Sequence, residues 1–381
     1  MFAIAGLLAV MLLGAAFIGD ISDDDDDLTA DAEDAYEGGE STGEMDGLDQ
    51  LLDKNADPDA GDPEAGDASD ADGDGEGDVG LIAFEAFAPG DMGTDTAPDA
   101  AGDTSFNDIF GTEGDDRLIG EAGDDYIEGE AGDDDIGAYG GDDLVVGGAG
   151  DDTIRGGDGA DVLRGGADAD TITGDAGDDQ IFGDTGADQL FGNTGDDSLW
   201  GGYGDDTLVG GSGDDALDGQ AGDDRLEGMS GEDTLMGGMG SDTLFGGDGN
   251  DTLIGAVLSE DWIDDDEADF LNGGAGDDTI FAGAGDTVTL GEGEDTLLVG
   301  DWIGVDGALV KEFEPGEDKL VVVYDDALPD EPVIQLVDDA AIPGVTLVVV
   351  NGASVLAVED GGALSTADIS LVGKSSVSMT A

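Results

Sequence analysis

Residues 147–155 have the sequence GGAGDDTIR, and this nine-residue pattern recurs without insertion or deletion from Gly111 to Ile254. Glycine occupies position 1 in 15 of the 16 units, with Ala138 as the exception, and position 4 in 15 units, with Asp168 as the exception. Position 6 is Asp, and position 8 is Leu, Ile or Val, in all 16 units. A period this regular indicates a repeat architecture in which each unit packs against its neighbours.

Each recurring residue type has a structural role in this pattern. Glycine at positions 1 and 4 permits positive φ and close backbone approach, so the first six residues of a unit are predicted to form a tight turn. Position 8 lies on a predicted three-residue strand, whose positions 7 and 9 point the other way. Because one such strand buries little alone, the units are predicted to stack as an all-β parallel solenoid with position 8 as its narrow core.

The charge of the chain restricts its partners. Among 381 residues, 98 are acidic and 8 are basic, which gives a formal net charge of −90. A compact state with this charge would repel itself unless a cation neutralised it, and phosphate binding to nucleic acid requires the Lys and Arg that are missing. The chain has no His and no Cys, which excludes thiol and imidazole metal sites, disulfides and His-dependent nucleophilic catalysis. Hard oxygen ligands remain, and they suit calcium or magnesium best.

Stacking the turns would place one aspartate carboxylate every few ångströms along each edge of the solenoid. A divalent cation between adjacent turns would be coordinated by carboxylates and glycine carbonyls, which can supply the six to eight oxygens that calcium prefers. The predicted metal ligands are the position 6 aspartates of the array and of two later units, namely Asp116, Asp125, Asp134, Asp143, Asp152, Asp161, Asp170, Asp179, Asp188, Asp197, Asp206, Asp215, Asp224, Asp233, Asp242, Asp251, Asp269 and Asp278.

The units resemble the GGxGxDxUx nonapeptides of the RTX (repeats-in-toxin) calcium-binding exoproteins. The resemblance implies a right-handed parallel β-roll in which two units make one coil and calcium ions lie between the turns of successive coils. It implies that Asp116 shares a site with the turn from Gly129 to Asp134. Sixteen turns on two edges would leave about 14 gaps for calcium within the unbroken array.

The array is less regular at both ends. Residues 102–110 form a degenerate unit with Asn107 at position 6, which we interpret as a starting cap. Residues 255–263 (GAVLSEDWI) break the pattern, and Trp262 within them either plugs the side of the roll or serves as an exposed recognition residue. The pattern then returns in register in residues 264–281.

Beyond residue 281 one residue is lost, and two weak units follow around Asp286 and Asp295.

The N-terminal part has a different composition. Residues 2–18 are seventeen apolar or glycine positions without a charge, about 25 Å as a helix and slightly shorter than a hydrocarbon core of about 30 Å. A membrane anchor, an uncleaved signal and a cleaved signal all remain open. From Asp20 to Asp108 there are 31 acidic residues and one basic residue. Such a segment is predicted to be disordered, as a solvated spacer or a calcium-attracting polyanion.

The C-terminal part, residues 300–381, is rich in Val and Leu runs such as KLVVVYD and GVTLVVVN, which predict strands separated by turn residues. The segment VKEFEPGEDKLVVV resembles the module that closes the roll in many RTX exoproteins, and LSTADISLV resembles the approach to their C-termini. The resemblance implies an uncleaved signal for type I secretion. A β cap that protects the last coil is the alternative, and both roles are compatible.

These observations predict four regions: a hydrophobic signal or anchor (1–19), an acidic linker (20–101), a calcium-binding β-roll (102–299) and a C-terminal β cap with a secretion region (300–381). The predicted function is an extracellular calcium-binding repeat protein whose roll folds on calcium after secretion. The alternative is a membrane-anchored structural or adhesive surface protein. We expect no enzymatic activity, since no GxSxG motif is present and a chain without His cannot form an HExxH zinc site. The expected partners are calcium ions and either secretion machinery or a cell-surface component.

Overall fold

The computed structural model describes residues 107–257, 266–300, 307–327, 332–359 and 364–374, and these ranges contain 27 β-strands and no α-helix. The segments 2–18 and 20–101 and Trp262, for which the sequence predicts the roles given above, lie outside them. In chain order the strands are β1 (Asn107–Thr112), β2 (Arg117–Ile119), β3 (Asp125–Ala131), β4 (Asp135–Gly140), β5 (Leu144–Ala149), β6 (Thr153–Asp158), β7 (Val162–Ala167), β8 (Thr171–Ala176), β9 (Gln180–Thr185), β10 (Gln189–Thr194), β11 (Ser198–Tyr203), β12 (Thr207–Ser212), β13 (Ala216–Ala221), β14 (Arg225–Ser230), β15 (Thr234–Met239), β16 (Thr243–Asp248), β17 (Thr252–Ile254), β18 (Phe270–Ala275), β19 (Thr279–Phe281), β20 (Thr287–Glu292), β21 (Thr296–Gly300), β22 (Ala308–Lys311), β23 (Lys319–Tyr324), β24 (Ile334–Asp338), β25 (Val345–Val350), β26 (Ala353–Glu359) and β27 (Ile369–Gly373).

Successive strands alternate between two parallel sheets. The odd-numbered strands from β1 to β23, followed by β27, form one sheet, and the even-numbered strands from β2 to β22, followed by β26, β25 and β24, form the other. In the regular array each residue pairs with the residue 18 positions later, as Leu190 pairs with Leu208. Two nonapeptides therefore make one coil, which confirms the predicted parallel β-solenoid.

The position 8 side chains form the core between the two sheets. Ile127, Leu190 and Leu208, for example, are completely buried. Their neighbours at positions 7 and 9 point outwards and are half-buried or exposed in most units. Burying a Leu or Ile side chain contributes about 1.5–3 kcal/mol, and each coil adds two of them to one continuous stack.

The regular strands have six residues, twice the predicted length. In β10, Phe191 pairs with Val209, position 1 is skipped, and pairing resumes from Asn193 to Gly211 at position 2. The strand therefore runs from position 7 through position 3 of the next unit. Only positions 4 to 6 are left for the turn.

The two repeated glycines have different roles. Gly150, at position 4, has a φ of 125° and lies so close to the carbonyl of Gly132 that a Cβ would overlap it. Position 1 glycines do not have positive φ, contrary to the prediction. A Cβ on Gly147 would instead overlap Oδ2 of Asp152. Positive φ occurs at position 2, even in the non-glycine Tyr139 (φ 83°).

Both ends of the regular array follow the predicted register. Asn107 pairs with Asp125 at the first strand, as expected for a degenerate starting unit. Across the interruption, Leu244 pairs with Leu271 at a spacing of 27, which is one coil plus nine residues. Leu271 then pairs with Val288 at a spacing of 17, in agreement with the loss of one residue.

The C-terminal strands complete both sheets. β22 and β26 continue the even sheet in parallel, and β24, β25 and β26 form an antiparallel meander at its end. Asn351 and Gly352, with φ values of 53° and 91°, connect β25 to β26. In the described ranges no helix is long and apolar enough to cross a membrane.

Candidate metal centre

A ladder of aspartates runs along each edge of the solenoid where the turns stack. The main-chain N–H of each position 6 aspartate donates to Oδ1 of the position 6 aspartate on the next coil. The distance is 2.8 Å from Asp116 to Asp134 and 2.7 Å from Asp188 to Asp206. The pattern continues across the interruption, where the N–H of Asp242 donates to Oδ1 of Asp269 at 2.8 Å. In each of the acceptor carboxylates, Oδ1 therefore helps to hold the coils together.

The second oxygen of most of these carboxylates is buried and has no hydrogen-bond partner. The side chains concerned are at most 4% exposed. A buried, unpaired carboxylate oxygen is costly and rare in native structures, so each of these atoms is a candidate cation ligand. The Oδ2 atoms are those of Asp134, Asp143, Asp152, Asp161, Asp170, Asp179, Asp188, Asp197, Asp206, Asp215, Asp224, Asp233, Asp242, Asp251, Asp269, Asp278 and Asp295.

The first two predicted ligands differ from the rest. Oδ2 of Asp116, which is half-buried, accepts hydrogen bonds from the N–H and hydroxyl of Thr112 at 2.7 and 2.8 Å. Oδ2 of Asp125 accepts one from the N–H of Glu121 at 2.8 Å. Oδ1 of Asp125 also accepts from the side-chain amide of Asn107 at 2.8 Å. Donors of the chain itself therefore satisfy Oδ2 of Asp116 and both oxygens of Asp125.

The position 1 glycine leaves room for the unpaired oxygen. A Cβ on Gly201 would lie 2.5 Å from Oδ2 of Asp206 and 2.8 Å from the carbonyl oxygen of Gly219 on the next coil. A carboxylate oxygen and a main-chain carbonyl therefore lie together here, as they do at Gly147 and Gly192. Both are ligand types that calcium takes in proteins.

Burial makes the aspartate ladder unfavourable as a row of bare anions. Desolvation raises the pKa of both Asp170 and Asp224 to about 8, although the main-chain hydrogen bond each accepts lowers it in part. Neighbouring aspartates on adjacent coils raise the pKa of these carboxyls further. Burial therefore favours a proton or a cation on these two carboxyls near neutral pH.

A second, exposed row of aspartates lies at position 5, which the sequence analysis did not single out. The N–H of Asp133 donates to Oδ1 of Asp115 at 3.2 Å, and the N–H of Asp223 donates to Oδ1 of Asp205 at 3.1 Å. At position 5 the acceptor lies on the preceding coil, whereas at position 6 the acceptor lies on the next coil. These carboxylates add negative charge at the rim of each turn.

The ladder extends beyond the predicted residues. Asp286 and Asp295 are completely buried and continue it in the two weak units. Oδ1 of Asp318 accepts from the N–H of Asp295 at 3.2 Å, a contact that the sequence analysis missed. The signal is present in FEPGEDKLV, residues 313–321, which keeps Gly at position 4, Asp at position 6 and Leu at position 8.

Comparison with known families gives a match over this part of the chain. The family model for the RTX calcium-binding nonapeptide repeat matches overlapping segments that together extend from residue 102 to 297, namely 102–136, 110–145, 137–172, 155–190, 182–217, 218–253 and 263–297. No curated protein matches the chain.

Two solved structures are similar to part of this chain. A hyperactive, Ca²⁺-dependent, β-helical antifreeze protein from an Antarctic bacterium is 25% identical, with 56% of this chain and 66% of that protein covered and a TM-score of 0.37. The AlgE6R3 subunit of the Azotobacter vinelandii mannuronan C5-epimerase is 22% identical, with 46% of this chain and 77% of that subunit covered and a TM-score of 0.18. This chain therefore spans slightly less than two thirds of the length of the antifreeze protein.

Proposed function

This chain belongs to the family of proteins with RTX calcium-binding nonapeptide repeats, and from that membership we propose that it is a secreted protein whose solenoid folds when calcium fills the gaps between stacked turns. The observation that carries the proposal is the row of buried Oδ2 atoms without hydrogen-bond partners. In the proposal, one calcium ion per gap is held by position 6 aspartates of adjacent coils and by carbonyls of the same turns. The proposed ligands are the eighteen aspartates predicted from the sequence, of which Asp116 and Asp125 differ because their Oδ2 atoms accept hydrogen bonds within the chain.

Calcium binding is strong enough in total to control folding. A site at a free calcium concentration about tenfold above its Kd stabilises the folded state by about 1.4 kcal/mol. About 14 independent sites would together contribute roughly 20 kcal/mol, more than the net stability of about 5–15 kcal/mol that is usual for a domain. The solenoid is therefore expected to be folded with calcium and unfolded without it at neutral pH.

The proposed place of action is outside the cell. Extracellular calcium modules typically bind at about 10⁻⁴ to 10⁻³ M, so a chain with such sites stays unfolded at low free calcium and folds in the medium. We assign residues 102–299 to the calcium-binding roll, 20–101 to an acidic linker, and 300–381 to a cap with a secretion region. The C-terminal resemblance favours type I secretion.

The alternative is an anchored surface protein that displays the solenoid as a rigid structural or adhesive module. The observation in its favour is the uncharged apolar segment at residues 2–18. In this case the acidic linker would separate the solenoid from the membrane.

Two measurements test these proposals. Equilibrium dialysis with radioactive calcium should give about one bound ion per gap, and a chain that binds fewer than two ions would contradict the calcium function.

Mass spectrometry of protein from culture medium and from washed membranes tests the location. Full-length protein in the medium supports type I secretion, a shortened N-terminus supports cleavage of a signal, and full-length protein retained in membranes supports the anchored alternative.

A further inference from the structure

The interruption of the repeat replaces a regular turn with an acidic one. After the break the chain returns to the even sheet with Asp269 at position 6, so Asp266 stands at position 3 of the same unit. Position 3 of the neighbouring units is Met239 and Asp248, and both of those side chains are exposed. Asp266 is half-buried instead, and it faces the gap between two coils.

The hydrogen bond across this gap differs from that in the regular array. In a regular gap the N–H of the position 4 glycine donates to the position 3 carbonyl of the next coil, as Gly222 does to Met239 at 2.9 Å. At the interruption the N–H of Gly240 donates to Oδ1 of Asp266, also at 2.9 Å. A side-chain carboxylate thus takes the place of a main-chain carbonyl and enters the gap.

The result is a cluster of three carboxylates. Asp242, Asp266 and Asp269 each contribute one oxygen, and these oxygens all lie within 4.8 Å of one another. Two oxygens on opposite sides of a calcium ion with bonds of about 2.3–2.6 Å are separated by about 4.6–5.2 Å. The cluster is therefore compact enough to share a single calcium ion.

An independent observation indicates a ligand at this point. The side chains of Asp242 and Asp269 are only 2% and 4% exposed, and Oδ2 of each has no hydrogen-bond partner.

We propose that Asp242, Asp266 and Asp269 form a distinct calcium site that binds more tightly than the regular gaps and fills first. The proposal rests on the proposed calcium function of the ladder. A regular gap has two position 6 carboxylates, whereas this gap has a third, and the number of charged ligands is one of the factors that set calcium affinity. Because Asp242 precedes the interruption and the other two follow it, the bound ion connects the sixteen-unit array to the last coils.

The test is a calcium-binding isotherm of the full chain, measured by isothermal titration with the wild type and two variants. Asp266→Asn removes the third charge but keeps an oxygen to accept from Gly240, and the high-affinity phase of about one ion should weaken roughly tenfold or more. Asp248→Asn is the matched control, because it makes the same change at position 3 of the next turn, where the side chain is exposed. This control should keep the high-affinity phase.

The outcomes separate this inference from the function on which it rests. If the wild type binds calcium along the array but Asp266→Asn has the wild-type isotherm, only the tight site is wrong. If the wild type binds no calcium, both proposals fail.

A second measurement needs no variant and decides the case in which Asp266→Asn does not fold at saturating calcium. Hydrogen exchange of the wild type with one equivalent of calcium should protect first the peptides that contain Gly240 to Asp242 and Asp266 to Asp269. Protection that begins in the middle of the sixteen-unit array, or evenly along it, would overturn the inference.

Discussion

The main-chain N–H of Asp188 donates to Oδ1 of Asp206, which lies 2.7 Å away on the next coil, while Oδ2 of Asp206 is buried without a hydrogen-bond partner. One side chain therefore has two roles. Its first oxygen links adjacent coils, and its second oxygen is free to bind the calcium ion that we propose for the gap. This relationship recurs from coil to coil, so the fold and the proposed calcium function depend on the same atoms.

Replacing Asp206 by Asn tests the role of one ladder carboxylate. The amide keeps an oxygen for the N–H of Asp188 but removes the negative charge from the gap, so we expect loss of calcium from one site and a higher calcium midpoint for folding. Asp205→Asn is the control, since Asp205 is the adjacent exposed aspartate. Calcium dialysis of both variants checks the prediction, and equal losses in the two would contradict it.

Replacing Gly210 by Ala tests the space that position 1 provides. The added Cβ would overlap Oδ2 of Asp215, so the carboxylate must move and calcium affinity at that gap should fall. In Gly114→Ala the Cβ meets no atom within 4 Å, and this variant should bind calcium as the wild type does. Isothermal titration distinguishes the two, and unchanged binding by Gly210→Ala would show that position 1 is not close to the site.

Replacing Leu208 by Ala tests the core. Leu208 is completely buried, and a Leu to Ala change in such a position costs about 2–5 kcal/mol. We expect a lower denaturation midpoint at saturating calcium. Thr207→Ala, next to it on the outer face and half-buried, should change the midpoint much less. A denaturant titration that gives equal midpoints for the two variants would contradict the assignment of the core.

The aspartate ladder predicts an unusual pH dependence without calcium. Burial raises the pKa of Asp143 to about 6, Asp170 to about 8 and Asp269 to about 9, so the folded state holds protons that the unfolded chain releases near pH 4. The stability from protonation is therefore present below about pH 4 and is lost as the pH rises through about 6 to 9.

The check is circular dichroism in a calcium chelator at pH 5 and pH 8. More β signal is expected at pH 5, and addition of calcium at pH 8 should restore the signal, because calcium replaces the protons that neutralise the folded ladder at low pH. A calcium-free solenoid that is more stable at pH 8 than at pH 5 would contradict the account.

The stacking of the units could be predicted from the sequence, but the details of the turn could not. Position 8 and position 6 are invariant in type, so the repeat pattern alone predicts the core and the aspartate ladder. The positive φ at position 2 has a weaker signal, because glycine stands there in only some of the units, and residues as different as Tyr139 and Asn193 occupy it in others. Position 1 differs from position 2. Glycine stands at position 1 because a Cβ would overlap the nearby carboxylate, and not because the backbone has a positive φ.

Contacts between units that are separated by an irregular number of residues also could not be predicted from the sequence. The approach of Asp266 to Asp242 and Asp269 depends on how the chain returns after the interruption, which a nine-residue period does not specify. Asp318 was missed for a similar reason, because its unit lies 23 residues after Asp295 instead of 18.

The most direct test of the central claim is a calcium titration of the full chain at pH 7.5, followed by far-ultraviolet circular dichroism from a calcium-free start. We predict little β signal without calcium and a steep, cooperative gain as calcium reaches the millimolar range, with magnesium much less effective. A full β signal in the chelator, or no gain at about 10 mM calcium, ten times the weak limit for extracellular sites, would contradict it.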